Sequence, residues 1–413
     1  MVSDALVLAG AVGTFVLLAT VLPAEEYGIV GSVQGLAAPA LALAMCGAPV
    51  MLIRRVSRQH ELRGAWSAAL AVAVPGGLVA AGVLVVAKPV LLDPAELVPY
   101  CLLVVSYVLL PIPLELLYAL TIGVQRFEIG TVIRLIGVVP RLAALALFAS
   151  GGSRSLGVWA WYLLVSNLIA LVGGAGVAAT LRVGGPSGRA GGGPRRLADA
   201  REGFGYALNG VSEGVLEVSD RPIMVNSGFS AEAGWYTLAG RLVTLSLTPS
   251  IAIMRATAAQ LFRAGEDGTA SALAVARRYL PVTLAIGGAT TAALWLATPV
   301  LSALFPDRLH ETLPILRWLA VVPAVKAAQF SGGNVLDAVG RQVTRFWLTM
   351  MAAALNLGLN LMLIPRYSWH AAVGTTLTAE TLLAFAFWVV VLRLARAERA
   401  GRAPLQDPEL RSR

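Results

Sequence analysis

The sequence predicts an all-α integral membrane protein with about twelve transmembrane helices arranged in two six-helix bundles. Hydrophobic residues make up 57% of the 413-residue chain and charged residues only 13%, against about 25% charged residues in a soluble domain. The mean hydropathy is +0.75. This composition excludes a disordered chain and argues against a soluble globule, which could not remove so much apolar surface from water. At about 30–35 residues for one crossing with its loop, the length allows about twelve crossings.

Apolar segments long enough to cross a bilayer follow one another along the chain, separated by Pro, Gly and charged residues. The predicted spans are Val2–Leu22, Tyr27–Ile53, Trp66–Ala87, Pro99–Leu120, Ile133–Ala149, Leu156–Leu181, Phe204–Met224, Gly234–Met254, Leu280–Leu304, Leu313–Leu336, Phe346–Ile364 and Ala371–Leu392. We number them one to twelve in this order.

Arginines concentrate in alternate loops of this series, as at Arg54 and Arg55 after span two and Arg277 and Arg278 before span nine. The loops between them hold few basic residues. Because basic residues favour the cytoplasmic side, we predict that both termini are cytoplasmic. The basic loops explain the net charge of +9, and basic loops attract anionic lipid. We therefore expect membrane lipids as partners and no nucleic acid.

A segment rich in Gly, Arg and Pro divides the chain near its middle and predicts a flexible connection. The predicted organisation is a bundle over residues 1–181, a cytoplasmic linker over 182–203, a second bundle over 204–392 and a basic cytoplasmic tail over 393–413. Glu26-Tyr27-Gly28 before span two resembles Glu232-Ala233-Gly234 before span eight. Two six-span halves related in this way are a common transporter plan; chance similarity between apolar helices is the alternative.

Span seven carries one polar stripe. Its members are Asn209, Glu213, Glu217 and Asp220, and they fall within about 80° of one another at roughly 100° per residue. Charged groups at membrane depth are costly and turn inward, so this stripe cannot face lipid. Two interpretations stay open: a cavity wall that binds a proton or a sodium ion, and a structural network with neighbouring helices.

Cationic side chains also lie inside predicted spans: Arg141 in span five, Arg241 in span eight and Lys326 in span ten. Guanidinium groups in a cavity of low dielectric suit phosphate, which they bind in a bidentate manner. We therefore predict that all three side chains, Lys326 included, bind the pyrophosphate or the sugars of a substrate in a cavity. The alternative is ion pairing, in which Arg241 neutralises Asp220. Arg221 and Arg317 lie nearer the outer ends of their spans, where a long side chain reaches the interface.

Other polar residues in the spans are predicted to join helices to one another or to contact a ligand. They are Glu115, Asn356, Asn360 and Glu380. We expect a kink before Glu115, because Pro111 and Pro113 precede it. No catalytic constellation and no metal-ligand spacing is visible, so we expect neither an enzyme nor a metal site.

Several motifs together resemble a known family. Val218-Ser219-Asp220-Arg221-Pro222-Ile223-Met224, followed by Gly234-Trp235-Tyr236-Thr237-Leu238-Ala239-Gly240-Arg241-Leu242, resembles the mid-chain signature of oligosaccharide flippases. The segments from Leu22 to Gly28, from Gln125 to Phe127 and from Asn356 to Pro365 resemble further motifs of that family, in the same order. The family is the polysaccharide-flippase (Wzx-type) branch of the multidrug/oligosaccharidyl-lipid/polysaccharide exporter superfamily.

The resemblance implies two bundles around a central cavity, alternating access, and a location in the cytoplasmic (inner) membrane of a prokaryote. The implied cargo is a polyprenyl-pyrophosphate-linked glycan, and the implied further partners are other polysaccharide-assembly membrane proteins. Arg241 and Arg141 are the implied pyrophosphate-binding residues. No cofactor is implied beyond a coupling proton or sodium ion, and the heavy acidic stripe of span seven departs from the family pattern.

Three rival functions remain. The first is an ion-coupled exporter of small cationic molecules, which the acidic stripe favours and the intramembrane arginines oppose. The second is a membrane glycan polymerase or ligase, which would need a large outer loop that the sequence lacks. The third is a scaffold that transports nothing.

Overall fold

A computed structural model of the chain describes residues 2–59, 62–181 and 211–401, and all regular elements in these ranges are helices. The predicted linker 182–203, Asn209 of the predicted stripe, and residues 402–413 of the predicted tail lie outside the described residues. Within them, the structure confirms the predicted all-α membrane fold.

The first half contains nine helices and one π-helical turn. They are α1 (Val2–Val21), α2 (Ala24–Met45), α3 (Ala48–Gln59), α4 (Leu62–Val86), α5 (Lys88–Leu91), α6 (Leu97–Val104), the π-helical turn (Val105–Leu109), α7 (Pro111–Gly123), α8 (Phe127–Ser150) and α9 (Leu156–Thr180). The π-helical turn directly precedes Pro111, where the sequence predicts a kink.

The second half contains eight described helices. They are α10 (residues 211–218), α11 (Asp220–Asn226), α12 (Ser230–Ser246), α13 (Thr248–Glu266), α14 (Thr269–Leu304), α15 (Thr312–Leu319), α16 (Val322–Ala338) and α17 (Gln342–Arg399), with a 3₁₀ turn at Asp307–Leu309. Because α17 ends at Arg399, the first residues of the predicted tail continue the last helix.

Among the described residues, eight helices are long and apolar enough to cross a membrane, or nine if the pair of α15 and α16, bent by 42°, counts as one span. The 58 residues of α17 include non-helical backbone at Ser368. At about 1.5 Å per residue this helix is far longer than one bilayer needs, so it contains predicted spans eleven and twelve. Together with α1 and the α10–α11 segment, these helices account for twelve crossings.

The structure corrects the end of predicted span two, which the sequence places at Ile53. Helix α2 ends at Met45, because Cys46 and Gly47 take positive φ angles of 43° and 70°, a common way to terminate a helix. Helix α3 then begins at Ala48, buries Leu52 and Val56, and packs on α7. Arg54 and Arg55, which the sequence places in the loop after span two, therefore belong to a separate amphipathic helix.

The two halves pack around separate apolar clusters and share a third. One cluster, with Leu52 and Leu116, lies within the first half, and another, with Leu216 and Phe387, lies within the second. The shared cluster includes Leu238, and α2 packs directly against α12. The bundles are therefore joined along α2 and α12, where the predicted outer ends of both helices lie.

Candidate functional site

Arg241 on α12 lies at the contact between the two bundles. Its guanidinium donates a hydrogen bond to Gln34 Oε1 on α2, and its Cζ lies 4.4 Å from the centre of the Phe15 ring on α1, a cation–π distance. Its Nε is buried and has no hydrogen-bond partner in the described ranges. Arg241 therefore connects the second bundle to a polar and an aromatic side chain of the first bundle. Its Nε–H group remains available to donate a hydrogen bond to a ligand.

The alternative pairing of Arg241 with Asp220 is not what the structure shows. Asp220 is buried, and its Oδ1 accepts a hydrogen bond of 2.8 Å from the backbone N–H of Arg221. The carboxylate thus sits at the first turn of α11, where backbone N–H groups are free to donate.

Arg221 is a site residue that the sequence assigned to the membrane interface. It is only 6% exposed, so the expectation that it reaches the interface is wrong. Gly240 on the neighbouring α12 makes room for it, since a Cβ atom there would lie 3.3 Å from Arg221 Nη2. Its Nε and Nη1 are buried without a hydrogen-bond partner in the part of the chain that the structure describes. Arg317, by contrast, is exposed, as expected.

A cavity of about 110 Å³ brings these groups together between α10, α11, α12, α16 and α17. Its polar lining consists of Glu217, Arg221, Tyr236, Arg241, Lys326, Thr376 and Glu380, together with the hydroxyl of Thr244. The structure thus unites one predicted substrate-binding arginine, the predicted lysine, one predicted ion-coupling carboxylate and one secondary polar residue.

Lys326 on α16 lies between two carboxylates. Its Nζ is 2.9 Å from Glu217 Oε1 on α10 and 2.9 Å from Glu380 Oε1 on α17. The lysine and Glu380 are buried, whereas about half of the Glu217 side chain (52%) is exposed. The ammonium that the sequence assigned to phosphate therefore pairs with two acidic groups.

Glu213 takes part in a second ion-pair cluster, one turn away along α10. Its Oε1 lies 2.8 Å from Arg345 Nη2, and Arg345 also pairs with Asp337 on α16. Arg345 directly precedes predicted span eleven, so the sequence places it in a loop. Both acidic side chains of α10 therefore face cations of α16 and α17.

Arg141 occupies a separate site inside the first bundle. It donates a 3.2 Å hydrogen bond to Asn167 Oδ1, and Asn167 Nδ2 donates one of 3.1 Å to the carbonyl of Ser106 in the π-helical turn. Such turns leave carbonyls open to side chains and often mark functional sites.

A cavity of about 290 Å³ lies beside Arg141. Its charged lining comprises Glu115, Arg134 and Arg141, and the Arg134 Cζ lies 4.1 Å from the Tyr118 ring centre. This cavity is large enough for several water molecules or a small anionic group.

The two predicted asparagines hold helices of the second bundle together. Asn356 Nδ2 donates a 3.0 Å hydrogen bond to the carbonyl of Leu216, and Asn360 Oδ1 accepts one from Thr375. Both asparagines are fully buried. Their contacts match the helix-joining interpretation of the sequence.

Gln34 and Tyr107 are site residues that sequence reasoning missed. Tyr107 lies in the π-helical turn next to Ser106, whose carbonyl accepts the hydrogen bond from Asn167. Gln34 was detectable, because it is an amide within an otherwise apolar helix. No pattern in the sequence distinguishes Tyr107 from other tyrosines of the spans.

Comparisons with known proteins bear on this site. The family model described as "Polysaccharide biosynthesis protein" matches residues 6–209. No curated protein sequence matches the chain.

Solved transporter structures share the fold across nearly the whole chain. A multidrug resistance MATE family transporter of the MOP superfamily in an inward-facing conformation has a TM-score of 0.75 at 16% identity, covering 93% of this chain and 96% of that chain. Its outward-facing counterpart has a TM-score of 0.61 at 16% identity, covering 95% of each chain.

A third similar structure is a MOP superfamily transporter from Pyrococcus furiosus, described by the reversed polarity of its binding pocket. It has a TM-score of 0.64 at 14% identity and covers 97% of this chain and 93% of that chain. At such identities the likeness concerns the fold. The family model covers just under half of the chain, and the solved structures show that the chain has the two-bundle fold of MOP superfamily transporters.

Proposed function

We propose that the protein is a flippase that moves a polyprenyl-pyrophosphate-linked oligosaccharide, a repeat unit of a surface polysaccharide, from the inner to the outer leaflet by alternating access. We place it in the cytoplasmic membrane of a prokaryote. One observation carries the proposal: Arg141, Arg221 and Arg241 lie within predicted spans and beside cavities, each with at least one buried guanidinium nitrogen that lacks a partner in the described chain. Such donors fit the oxygens of a pyrophosphate.

Arg241 and Arg221 are the proposed primary contacts for the pyrophosphate. They line the same cavity as Lys326, and these three cationic side chains face only two carboxylates in its lining, Glu217 and Glu380. Arg141 is the proposed contact in the first bundle. A sugar head that crossed bare hydrocarbon would leave its hydroxyls and charges unsatisfied, and a polar pathway between the bundles lowers that barrier.

The contact between the bundles supports a state that is closed at the predicted outer end. Asn226 bonds to the backbone of Val90 and Asp93 across the halves, and α2 packs on α12 near their first turns. The TM-score of 0.75 with an inward-facing transporter, against 0.61 with an outward-facing one, agrees with this assignment. An inward-open state is the one that receives cargo from the inner leaflet.

A second candidate function is the ion-coupled export of small cationic molecules. The half-exposed carboxylates of Glu213 and Glu217 favour it, because they present negative charge to the space beside α10. A proton or a sodium ion would then drive transport. Under either function the superfamily points to a transporter rather than an enzyme.

Reconstitution distinguishes the two functions. Vesicles containing the protein and a fluorescent polyprenyl-pyrophosphate disaccharide are assayed for movement of the probe between leaflets, with a cationic dye tested in parallel. We expect protein-dependent movement of the lipid. Arg241→Ala should slow it about 10–100-fold, since a hydrogen bond to a charged group contributes about 1.5–3 kcal/mol. Arg317→Ala, at an exposed arginine, is the matched control and should leave the rate unchanged. Export of the dye without lipid movement would overturn the flippase proposal.

A further inference from the structure

We propose that Glu217 and Glu380 form a monovalent-cation site that the protein fills with its own lysine, Lys326. The ammonium lies 2.9 Å from one oxygen of each carboxylate, at the point where a free cation would bind. The inference goes beyond the proposed flippase function, because it concerns cation binding and holds for either cargo.

The pair of carboxylates requires a cation on electrostatic grounds. Glu380 is buried, with 2% of its side chain exposed, and it shares Lys326 with Glu217. Two negative charges this close repel each other strongly where water is scarce. Removing the positive partner of a buried pair leaves an uncompensated charge, which is strongly destabilising.

Oxygen atoms suitable for a hard cation surround the same point. Glu380 Oε2 is buried without a hydrogen-bond partner among the residues that the structure describes. The Thr376 side chain lines the cavity beside both carboxylates. Carboxylate and hydroxyl oxygens are the ligands that hard cations prefer.

The ammonium group of Lys326 is covalently attached to the chain, so it cannot dissociate from the two carboxylates as a free ion would. Lys326 projects from the second turn of α16, which packs on both α14 and α17, and its ammonium lies 6.0 Å from the Phe330 ring centre on the same helix. Arg221 and Arg241 share the cavity and repel any additional cation. A dissociable ion is thus replaced by a permanent one, and the native protein needs no Na⁺ at this position.

The inference is tested by removing the lysine. Binding of radioactive Na⁺ to the purified full chain is measured without cargo, so that the result does not depend on the flippase proposal. We expect no saturable binding at this site in the native protein, and one Na⁺ per chain in Lys326→Ala. Adding Glu380→Gln to that variant should abolish the binding. Lys88→Ala removes the only other lysine, which is the first residue of the short helix α5, and should behave as the native protein does.

A second measurement covers the case in which Lys326→Ala is unstable. Its thermal unfolding is followed with Na⁺, with ethylammonium or with choline as the cation, and we expect Na⁺ or ethylammonium, but not the bulky choline, to raise the midpoint. The neutral variant Lys326→Met/Glu217→Gln/Glu380→Gln should fold and show no such response, because no charge is left unpaired. Saturable Na⁺ binding in the native protein that Glu380→Gln abolishes would overturn the inference. So would a Lys326→Ala variant that neither binds Na⁺ nor responds to either small cation while the neutral variant folds.

Discussion

Gly28 on α2 and Gly234 on α12 meet across the boundary between the bundles, each against the backbone of the other helix. A Cβ atom on Gly28 would overlap the carbonyl oxygen of Ser230, and one on Gly234 would overlap that of Ala24. Ala24 and Ser230 are separated in sequence by the same interval as Gly28 and Gly234, so the contact has two-fold symmetry. The similar tripeptides before spans two and eight thus lie at a close contact between the halves.

Gly28→Ala should destabilise the structure although alanine is the better helix former. In an open helix the change would stabilise by about 1 kcal/mol, whereas overpacking against the Ser230 backbone costs about 1–3 kcal/mol. Thermal unfolding in detergent shows whether the variant is less or more stable than the native protein. Gly82→Ala is the control, because a Cβ there meets open space, and it should be neutral or stabilising. A stabilised Gly28→Ala protein would contradict the close approach of α2 and α12.

Asn226→Ala should favour separation of the predicted outer ends. The Asn226 side chain accepts a 3.0 Å hydrogen bond from Asp93 N–H and donates one of 2.9 Å to the Val90 carbonyl. Losing two hydrogen bonds of about 1 kcal/mol each shifts the equilibrium between closed and open forms about 30-fold. Spin labels on the two outer loops report the change as a population at longer distance.

Asn226→Asp gives a graded comparison at the same position. The carboxylate keeps an acceptor for Asp93 N–H but cannot donate to Val90, so its distance distribution should fall between those of the native protein and Asn226→Ala. Equal distributions for all three proteins would exclude a role for Asn226 in closing this end.

Arg345→Ala should be more destabilising than Glu213→Gln. The alanine variant leaves Glu213 and Asp337 without their shared cation, whereas the glutamine variant preserves the Arg345–Asp337 pair. We expect a loss of about 1–3 kcal/mol for Arg345→Ala, below the usual cost of breaking a buried pair because Glu213 is half exposed. Adding Asp337→Asn should recover part of that loss in thermal unfolding. No recovery would mean that Arg345 acts through packing rather than charge.

Arg141→Ala should weaken the binding of a polyprenyl-pyrophosphate probe about 10–100-fold, since it removes charge-assisted hydrogen bonds. Asn167→Ala keeps the charge and removes only the amide that orients it, so its loss should be nearer fivefold. Quenching of tryptophan fluorescence on titration with the probe measures both. Arg154→Ala, at an exposed arginine of the same bundle, is the control. If Arg141→Ala binds the probe with unchanged affinity, Arg141 does not contact the pyrophosphate, and only Arg241 and Arg221 remain as its proposed contacts.

Several features of the fold follow from the sequence because they depend on local composition. Apolar length predicts each crossing, since a helix satisfies its own backbone hydrogen bonds in lipid. The inward direction of Glu213 and Glu217 follows from the cost of charge in hydrocarbon. The end of α2 was misplaced because the apolar run continues without a charge through Cys46 and Gly47, whose left-handed backbone ends the helix.

The sequence by itself determined that this is a polytopic helical membrane protein with charged groups turned toward its interior. Only the tertiary structure decided which polar side chains meet. It pairs Arg241 with Gln34, Lys326 with Glu217 and Glu380, and Arg345 with Glu213. These pairings depend on the rotation and register of helices that are distant in the chain. Hydropathy determines which side of a helix avoids lipid, but packing against neighbouring helices determines the partner that each side chain finds there.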